Sequence, residues 1–229
     1  MSLTDAERAV LERRRTGPEG LSRAAAAMLL DRAPDEARRQ LIAEEEVFSR
    51  DLARALPPDP QRFGFSPCDF AMLASVRVLC RTREARELAP LRMAFEPPFS
   101  TTHYTGCGPV EREPALMLLA FLAEDEPRAA RHLVRIRHKA LPLLDSFLTQ
   151  TLSLMIRGRG QEVPALFKQL EPQYVAAMAQ GLWRTDPEAF LHVRLLAALQ
   201  VGQERGLIDL ASLPDAIPYV PLGLLTGRS

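Results

Sequence analysis

The sequence is poor in aromatic residues and has no excess of either charge. Phe, Trp and Tyr make up only 6% of the 229 residues, and Ala and Leu dominate the apolar set. This composition favours helices over sheets, because strands are enriched in aromatic and β-branched side chains. The 29 basic residues are balanced by 29 acidic ones. A protein that binds nucleic acid non-specifically needs a basic excess to displace counterions, so we do not expect nucleic acid as the partner.

Cysteines are few, and long apolar runs are absent. The three cysteines, Cys68, Cys80 and Cys107, form neither a disulfide framework nor a zinc pattern, because they are odd in number and widely spaced. We therefore expect reduced thiols and a cytoplasmic location. The stretch MSLTDAERAVLERRR lacks the apolar core of a secretory signal, and no run of about 18 apolar residues occurs, so we expect no membrane span.

Motifs for cofactor and metal chemistry are also missing. The sequence has no phosphate-binding P-loop, no GxGxxG and no GxSxG. His132 and His138 miss the i, i+4 spacing that places two ligands on one helical face, and His192 is isolated in the sequence. We therefore expect no cofactor and no metal.

Polar caps and prolines divide the chain into helices. TDAE at residues 4–7 is a capping box, and SPCD at 66–69 is a second helix start with proline at the first helical position. Apolar residues follow at helical spacing, whereas alternation of period two is not sustained anywhere. These patterns predict helices from residue 5 to a break at 16–20, then at 20–31, 34–56, 66–80 (with 81–93 as an extension or a separate helix), 113–124, 127–140, 142–157, 162–180 and 187–204.

The predicted elements indicate an all-α fold, with residues 1–229 forming one domain of about nine helices. We expect less regular helices over 1–96 and stacked helical hairpins over 114–229. A long irregular loop at about 97–113, rich in Pro, Gly and Thr, joins the two halves. Loops of this length inside compact domains are often functional.

A weak internal repeat supports the hairpin stack. Residues 118–133 and 152–167 align at a spacing of 34, and each predicts a helix, a small polar turn and a second helix. This spacing is that of tetratricopeptide-like hairpins, although the aromatic and small-residue positions of that repeat are not met.

The long loop contains the most reactive side chains. TTHYTGCGPV, residues 101–110, places His103, Tyr104 and Cys107 beside two glycines. A Cys–His nucleophile needs an imidazole that activates the thiolate and usually a third group that orients it, and no orienting acid or amide lies nearby. The alternative is a glycine-hinged loop in which Tyr104 packs and Cys107 is half buried. If the loop acts, we expect His103 and Tyr104 to contact a partner protein and not a substrate.

Three further features each have two interpretations. Glu44, Glu45 and Glu46 form an acidic patch on a helix, which either docks a basic partner or is a solvated face beside arginines. The basic run RHLVRIRHK at 131–139 either contacts phosphate or pairs with neighbouring acids. Trp183, the sole tryptophan, lies near a turn as a core residue or as an interface anchor.

Three stretches carry a resemblance to a known family. They are the helix pair LSRAAAAMLLDRAPDEARRQLIAEEEVF, the acidic-turn hairpin LLAFLAEDEPRAARHL, and the closing helix ALQVGQERGLIDL with its extended tail IPYVPLGLL. Over about residues 20–225 this layout resembles the immunity protein 49 family of bacterial polymorphic toxin systems. The resemblance implies a non-catalytic protein that binds a cognate toxin and blocks its active site. It supplies no motif residues for a binding site.

Three functional hypotheses follow. The first is an immunity protein that neutralises a toxin through the acidic helix or the 97–113 loop. The second is a helical-repeat adaptor or regulator that binds a peptide, and the third is an enzyme that uses His103 and Cys107. For the first hypothesis, the predicted partner contacts are His103, Tyr104, Glu44, Glu45 and Trp183.

Overall fold

The structure is a computed structural model that describes residues 3–17, 19–55, 66–80, 107–108, 110–136, 141–184, 186–213 and 220–226. Within these ranges every regular element is a helix and no strand occurs, which confirms the predicted all-α fold. No helix of the described ranges combines the length and the apolar composition that a membrane span requires.

Ten α-helices and four short 3₁₀ helices make up the described chain. The α-helices are α1 (Asp5–Arg14), α2 (Gly20–Leu29), α3 (Pro34–Ala55), α4 (Pro67–Cys80), α5 (Arg112–Leu122), α6 (Glu126–Ile136), α7 (Leu143–Ile156), α8 (Val163–Ala179), α9 (Val193–Glu204) and α10 (Gly223–Thr226). The 3₁₀ helices are Gly160–Glu162, Leu182–Arg184, Pro187–Ala189 and Leu210–Ser212.

The predicted capping box forms at α1, and the predicted helix start at Ser66 has the same reciprocal hydrogen bonds. The Thr4 backbone N–H donates to the Glu7 carboxylate at 2.8 Å, and the Glu7 N–H donates to the Thr4 hydroxyl at 3.3 Å. At α4, the Ser66 N–H donates to the Asp69 carboxylate at 2.7 Å, and the Asp69 N–H donates to the Ser66 hydroxyl at 3.3 Å. Each pair satisfies backbone donors that have no partner inside the helix, which fixes where α1 and α4 begin.

Helices α4, α5 and α9 form the centre of the fold. Every residue of α5 from Pro114 to Leu122 is buried, and α4 packs against α3, α5 and α9. Helix α1 packs on α2, α2 on α3 and α3 on α4. In the C-terminal half, α5 packs on α6, α6 on α7 and α7 on α8. One core cluster extends from Val10 to Leu224, so N-terminal and C-terminal helices bury their apolar faces against each other.

The two halves of the internal repeat have the same turn geometry. The Asp125 N–H donates to the Ala120 carbonyl at 2.9 Å after α5, and the Arg159 N–H donates to the Leu154 carbonyl at 2.8 Å after α7. The residue before each donor is left-handed, with φ 59° at Glu124 and 68° at Gly158. This six-to-one hydrogen bond with a left-handed residue is the Schellman ending of a helix. Both segments of the repeat therefore turn in the same way.

The start of α9 differs from the sequence prediction. The predicted helix over 187–204 begins only at Val193, because Pro187–Ala189 form a 3₁₀ turn that the Asp186 side chain caps. In a continuous helix, residues 188 and 194 would lie about 9 Å apart along the axis and point about 120° apart, so their side chains would not face each other. The break instead brings the Glu188 carboxylate into an ion pair with the Arg194 guanidinium.

We expect Gly158→Ala to lower the free energy of unfolding by about 1 kcal/mol, because a Cβ raises the energy of a left-handed residue. No atom lies within 4 Å of the added Cβ, so backbone conformation alone causes the loss. The matched change in the first hairpin, Glu124→Gly, is expected to raise stability for the same reason. Urea denaturation of the two variants measures both effects, and a Gly158→Ala midpoint equal to that of the native chain would contradict the expectation.

Candidate functional site

Of the three residues singled out in the long loop, only Cys107 lies within the described residues. His103 and Tyr104 lie outside the described residues. Cys107 lies just before α5 and forms a disulfide with Cys68 in the first turn of α4, with the Cα atoms 5.7 Å apart. The expectation of reduced thiols is therefore wrong for these two cysteines, and Cys80 is not part of the bond. The sequence separation of 39 residues hides the pairing, because only the packing of α4 against α5 brings the two cysteines together.

The disulfide bears on the enzyme hypothesis. The thiolate, not the disulfide sulfur, is the nucleophile in cysteine catalysis. Cys107 thus has no thiolate to offer in this structure, and a Cys–His mechanism would first require reduction of its bond to Cys68.

The predicted acidic patch on α3 is divided among three environments. Glu44 is half buried, and its carboxylate accepts a hydrogen bond from the Gly20 N–H at 2.9 Å, which ties α3 to the start of α2. Glu45 is only 4% exposed and pairs with Arg77 of α4 at 2.8 Å. Only Glu46 faces solvent. The prediction of a common docking face is corrected, because consecutive helical residues point about 100° apart and α3 lies between α2 and α4.

Trp183 lies half buried in the 3₁₀ turn that follows α8. Its ring stacks on the buried Phe190 ring, with centroids 6.4 Å apart and planes inclined by 25°. The guanidinium of the exposed Arg184 lies 4.9 Å from the centroid of the tryptophan ring, within the range of a cation–π contact. Trp183 is therefore anchored to the core through one neighbour and contacts an exposed cation through another.

The basic run at 131–139 pairs at least in part with an acid. His132 Nδ1 lies 2.9 Å from the Glu113 carboxylate, and the Arg135 guanidinium lies 3.9 Å from the same carboxylate. Arg131 is exposed, while His138 and Lys139 lie outside the described residues. The contacts to Glu113 favour the interpretation in which this face pairs with neighbouring acids.

A buried ionic cluster, which the sequence analysis missed, joins α7 to α9. The Arg194 guanidinium donates to the Asp145 carboxylate at 2.8 Å and also pairs with Glu188. His192, fully buried, has Nε2 3.1 Å from the Leu144 carbonyl and Nδ1 3.6 Å from the Glu188 carboxylate. His192 is therefore not isolated in the fold. The only sequence signal was the presence of three ionisable residues in the otherwise apolar segment PEAFLHVR.

Burial and pairing act against each other in this cluster. Burial by itself would raise the pKa of Glu188, but the charge of Arg194 and the contacts with His192 outweigh it and lower that pKa to about 2. For Asp145, burial is the larger influence and raises the pKa, although Arg194 opposes the rise. The ion-paired side chains are at most 11% exposed, so we interpret this cluster as a structural link and not as a substrate site. In the described part of the chain, no group of three or more His, Cys, Asp and Glu side chains is placed to hold a metal ion.

We expect loss of the Cys68–Cys107 disulfide to lower the free energy of unfolding by about 4 kcal/mol, from the entropy of closing a loop of this length. Cys107→Ser tests this by chemical denaturation, with Cys80→Ser as the matched control that leaves the bond intact. Denatured oxidised protein should bind one maleimide per chain, and reduced protein three. Three labels without reductant would contradict the disulfide.

The ionic cluster predicts a pH dependence of stability. Because the pKa of Glu188 falls from 4.5 to about 2 on folding, its contribution is complete above about pH 4.5 and is lost as the pH falls towards 2. The contribution is roughly 3 kcal/mol, reduced by the opposite shift at Asp145.

Arg194→Met leaves two buried carboxylates without the guanidinium of Arg194, so acidification should stabilise that variant. Urea unfolding between pH 5 and pH 2 measures both slopes, and Glu162→Gln, in an exposed pair with Arg159, serves as control. If the free energy of unfolding changed with pH in the same way in Arg194→Met and in the native chain, the ion pairs of the cluster would not be the cause of the pH dependence.

Comparison with known proteins adds no relative to these observations. No protein-family model, no curated protein and no solved structure matches the chain. What the protein does is therefore inferred from its own residues and fold.

Proposed function

We propose that this chain is a non-catalytic immunity protein that binds a cognate bacterial toxin and blocks its active site. The observation that carries the proposal is the Trp183–Arg184 corner, where a half-buried tryptophan contacts an exposed arginine. Tryptophan and arginine are among the residues that contribute most of the binding energy in protein interfaces. The layout of the sequence, which resembles the immunity protein 49 family, and the all-α fold support the same function.

The corner is fixed before any partner arrives. The Arg14 guanidinium of α1 donates to the Trp183 carbonyl at 2.9 Å, and the Phe190 ring holds the indole. The Arg184 N–H donates to the Gly181 carbonyl at 2.8 Å, which closes the turn. Side chains that are ordered in advance lose little entropy on binding, so this corner suits a tight complex that occludes an active site.

Glu44 and Glu45 do not join this surface, since their carboxylates are engaged within the fold. His103 and Tyr104 stay predicted contacts outside the described residues. The cytoplasm stays the proposed location. Because disulfides are rare in the cytosol, this location requires that Cys68 and Cys107 be reduced there and that the fold form without their bond.

The test is co-expression in a bacterial host with the toxin encoded by the neighbouring gene. We expect the native chain to restore growth and to bind the purified toxin with nanomolar affinity. Arg184→Ala should weaken binding about tenfold or more, since interface arginines of this kind contribute roughly 1.4 kcal/mol or more. Titration calorimetry measures the loss. Arg131→Ala removes an exposed arginine on α6 and serves as the matched control.

Two outcomes would contradict the proposal. Continued growth arrest in cells that contain the folded chain would exclude neutralisation of that toxin. Binding of many unrelated peptides, without inhibition of the toxin, would instead support the helical-repeat adaptor.

A further inference from the structure

The Cys68–Cys107 disulfide ties the first turn of α4 to the residues just before α5. Both cysteines are half buried, so the bond is not sealed inside the fold. Cys68 packs on the hydrophobic core, whereas Cys107 does not belong to it. Helices α4 and α5 therefore bury their apolar faces without the side chain of Cys107, and opening the bond leaves that packing in place.

The surroundings of the two cysteines differ in how open they are. An attacking thiolate approaches in line with the S–S bond, from behind the sulfur that it attacks, so access decides which sulfur reacts. Cys68 lies in a helical turn between the buried side chains of Pro67 and Phe70. Cys107 is followed by Gly108, which has no side chain. The approach to Cys107 is therefore the more open one.

Cys68 is also the better leaving group. It is the second residue of α4, where the partial positive charge at the N-terminus of a helix stabilises a thiolate. The carboxylate of Asp69 acts against this effect, but the Ser66 N–H and hydroxyl donate to that carboxylate at 2.7 and 2.6 Å and offset part of its charge. Exchange is faster when the leaving thiolate is more stable, so attack at Cys107 is favoured over attack at Cys68.

A negative charge beside Cys107 affects which thiols react quickly. The Gly108 N–H donates to the Glu111 carboxylate at 2.9 Å, which holds that carboxylate close to Cys107. A thiolate is an anion, so Glu111 slows its approach. The effect is larger for a thiol that carries further negative charge.

No second thiol inside the folded chain can take part in the exchange. Cys80, the third cysteine, lies at the opposite end of the 14-residue helix α4, about 18 Å from Cys68 along the axis. A disulfide joins cysteines whose Cα atoms are less than about 7 Å apart. The reductant must therefore come from solution.

We infer that the Cys68–Cys107 bond is a redox switch that a small thiol, such as glutathione, opens in the folded chain. The glutathione thiolate attacks Cys107 Sγ, the bond between the two cysteines breaks, and Cys68 leaves as a thiolate that takes up a proton from water. A second glutathione thiolate attacks the sulfur of the first glutathione, which yields oxidised glutathione and the Cys107 thiolate. The cysteine pair gains two electrons and two glutathione molecules are oxidised, and the reverse steps close the bond.

The switch changes how firmly α5 is held to α4. Opening the bond frees the unfolded chain from a closed loop with a sequence separation of 39 residues. The ratio of folded to unfolded chain then falls roughly thousandfold. The reduced chain stays folded, because Cys107 is not part of the core. This inference does not depend on the proposed function, since exchange is measured on the chain without a toxin.

Reduction of the oxidised, folded chain by millimolar glutathione tests the inference. We expect the rate to rise in proportion to the glutathione concentration and to change by less than about twofold between 0 and 1 M urea. If the bond opened only in the unfolded chain, 1 M urea would raise the rate about tenfold or more. Peptide mass mapping after an acid quench and alkylation should find glutathione on Cys107 and the alkyl group on Cys68.

Glu111→Gln tests the position of the attack. Glutamine can still accept from the Gly108 N–H but carries no charge. The variant should therefore react with glutathione roughly two to three times faster, and with cysteamine, whose thiolate form has no net charge, at nearly the native rate. Glu162→Gln removes a carboxylate from the turn between α7 and α8 and serves as the matched control.

Several results would overturn the inference. Glutathione on Cys68 in place of Cys107 would reverse the direction of attack, and equal acceleration of both thiols in Glu111→Gln would show a loosened turn in place of a charge effect. A tenfold acceleration by urea would mean that the bond opens only on unfolding. Unfolding of the reduced chain, or failure of oxidised glutathione to close the bond again, would make the disulfide a structural requirement and not a switch.

Discussion

The guanidinium of Arg194 lies buried between α7 and α9, where it forms ion pairs with the carboxylates of Glu188 and Asp145. A buried guanidinium without such partners would cost several kcal/mol, so the chain must place both carboxylates within reach. Glu188 is six residues before Arg194 and reaches it only because the helix is interrupted between them. The interruption also places Phe190 in the core, and Trp183 stacks on that ring. The surface that we propose for toxin binding thus depends on a charge that is almost wholly buried.

The features that could be predicted from the sequence are those determined by neighbouring residues. The capping boxes at Thr4 and Ser66 form because donor and acceptor lie three positions apart. The helical turns at Glu124 and Gly158 repeat because both follow the last turn of an apolar helix. The wrong start predicted for α9, at Pro187, also has a local cause. A proline after an aspartate marks a helix start, and here Asp186 caps only a single 3₁₀ turn.

Contacts between distant residues could not be predicted. Arg194 meets Asp145 across 49 residues, and Arg77 meets Glu45 across 32. Neither pair has a sequence signal, because each forms only when two helices pack. The same is true of the candidate site. The glutamates of α3 looked alike in sequence, yet packing buries Glu45 and leaves Glu46 exposed. The residue type of Trp183 indicated either a core residue or an interface anchor, whereas its contact with Phe190 required the fold.

The buried polar atoms without a hydrogen-bond partner differ in how far the rest of their side chain is satisfied. Among the described residues, four buried side-chain atoms have no hydrogen-bond partner, on Arg112, Thr149, His192 and Arg205. His192 bonds the Leu144 carbonyl through its other nitrogen, and another nitrogen of Arg205 pairs with Glu126. Arg112 is only partly buried, so water reaches the rest of its guanidinium. Thr149 is different, because its hydroxyl is its only polar group and is wholly unsatisfied. Stability alone would favour valine at this position, because a methyl group in place of the hydroxyl leaves no buried polar atom without a partner.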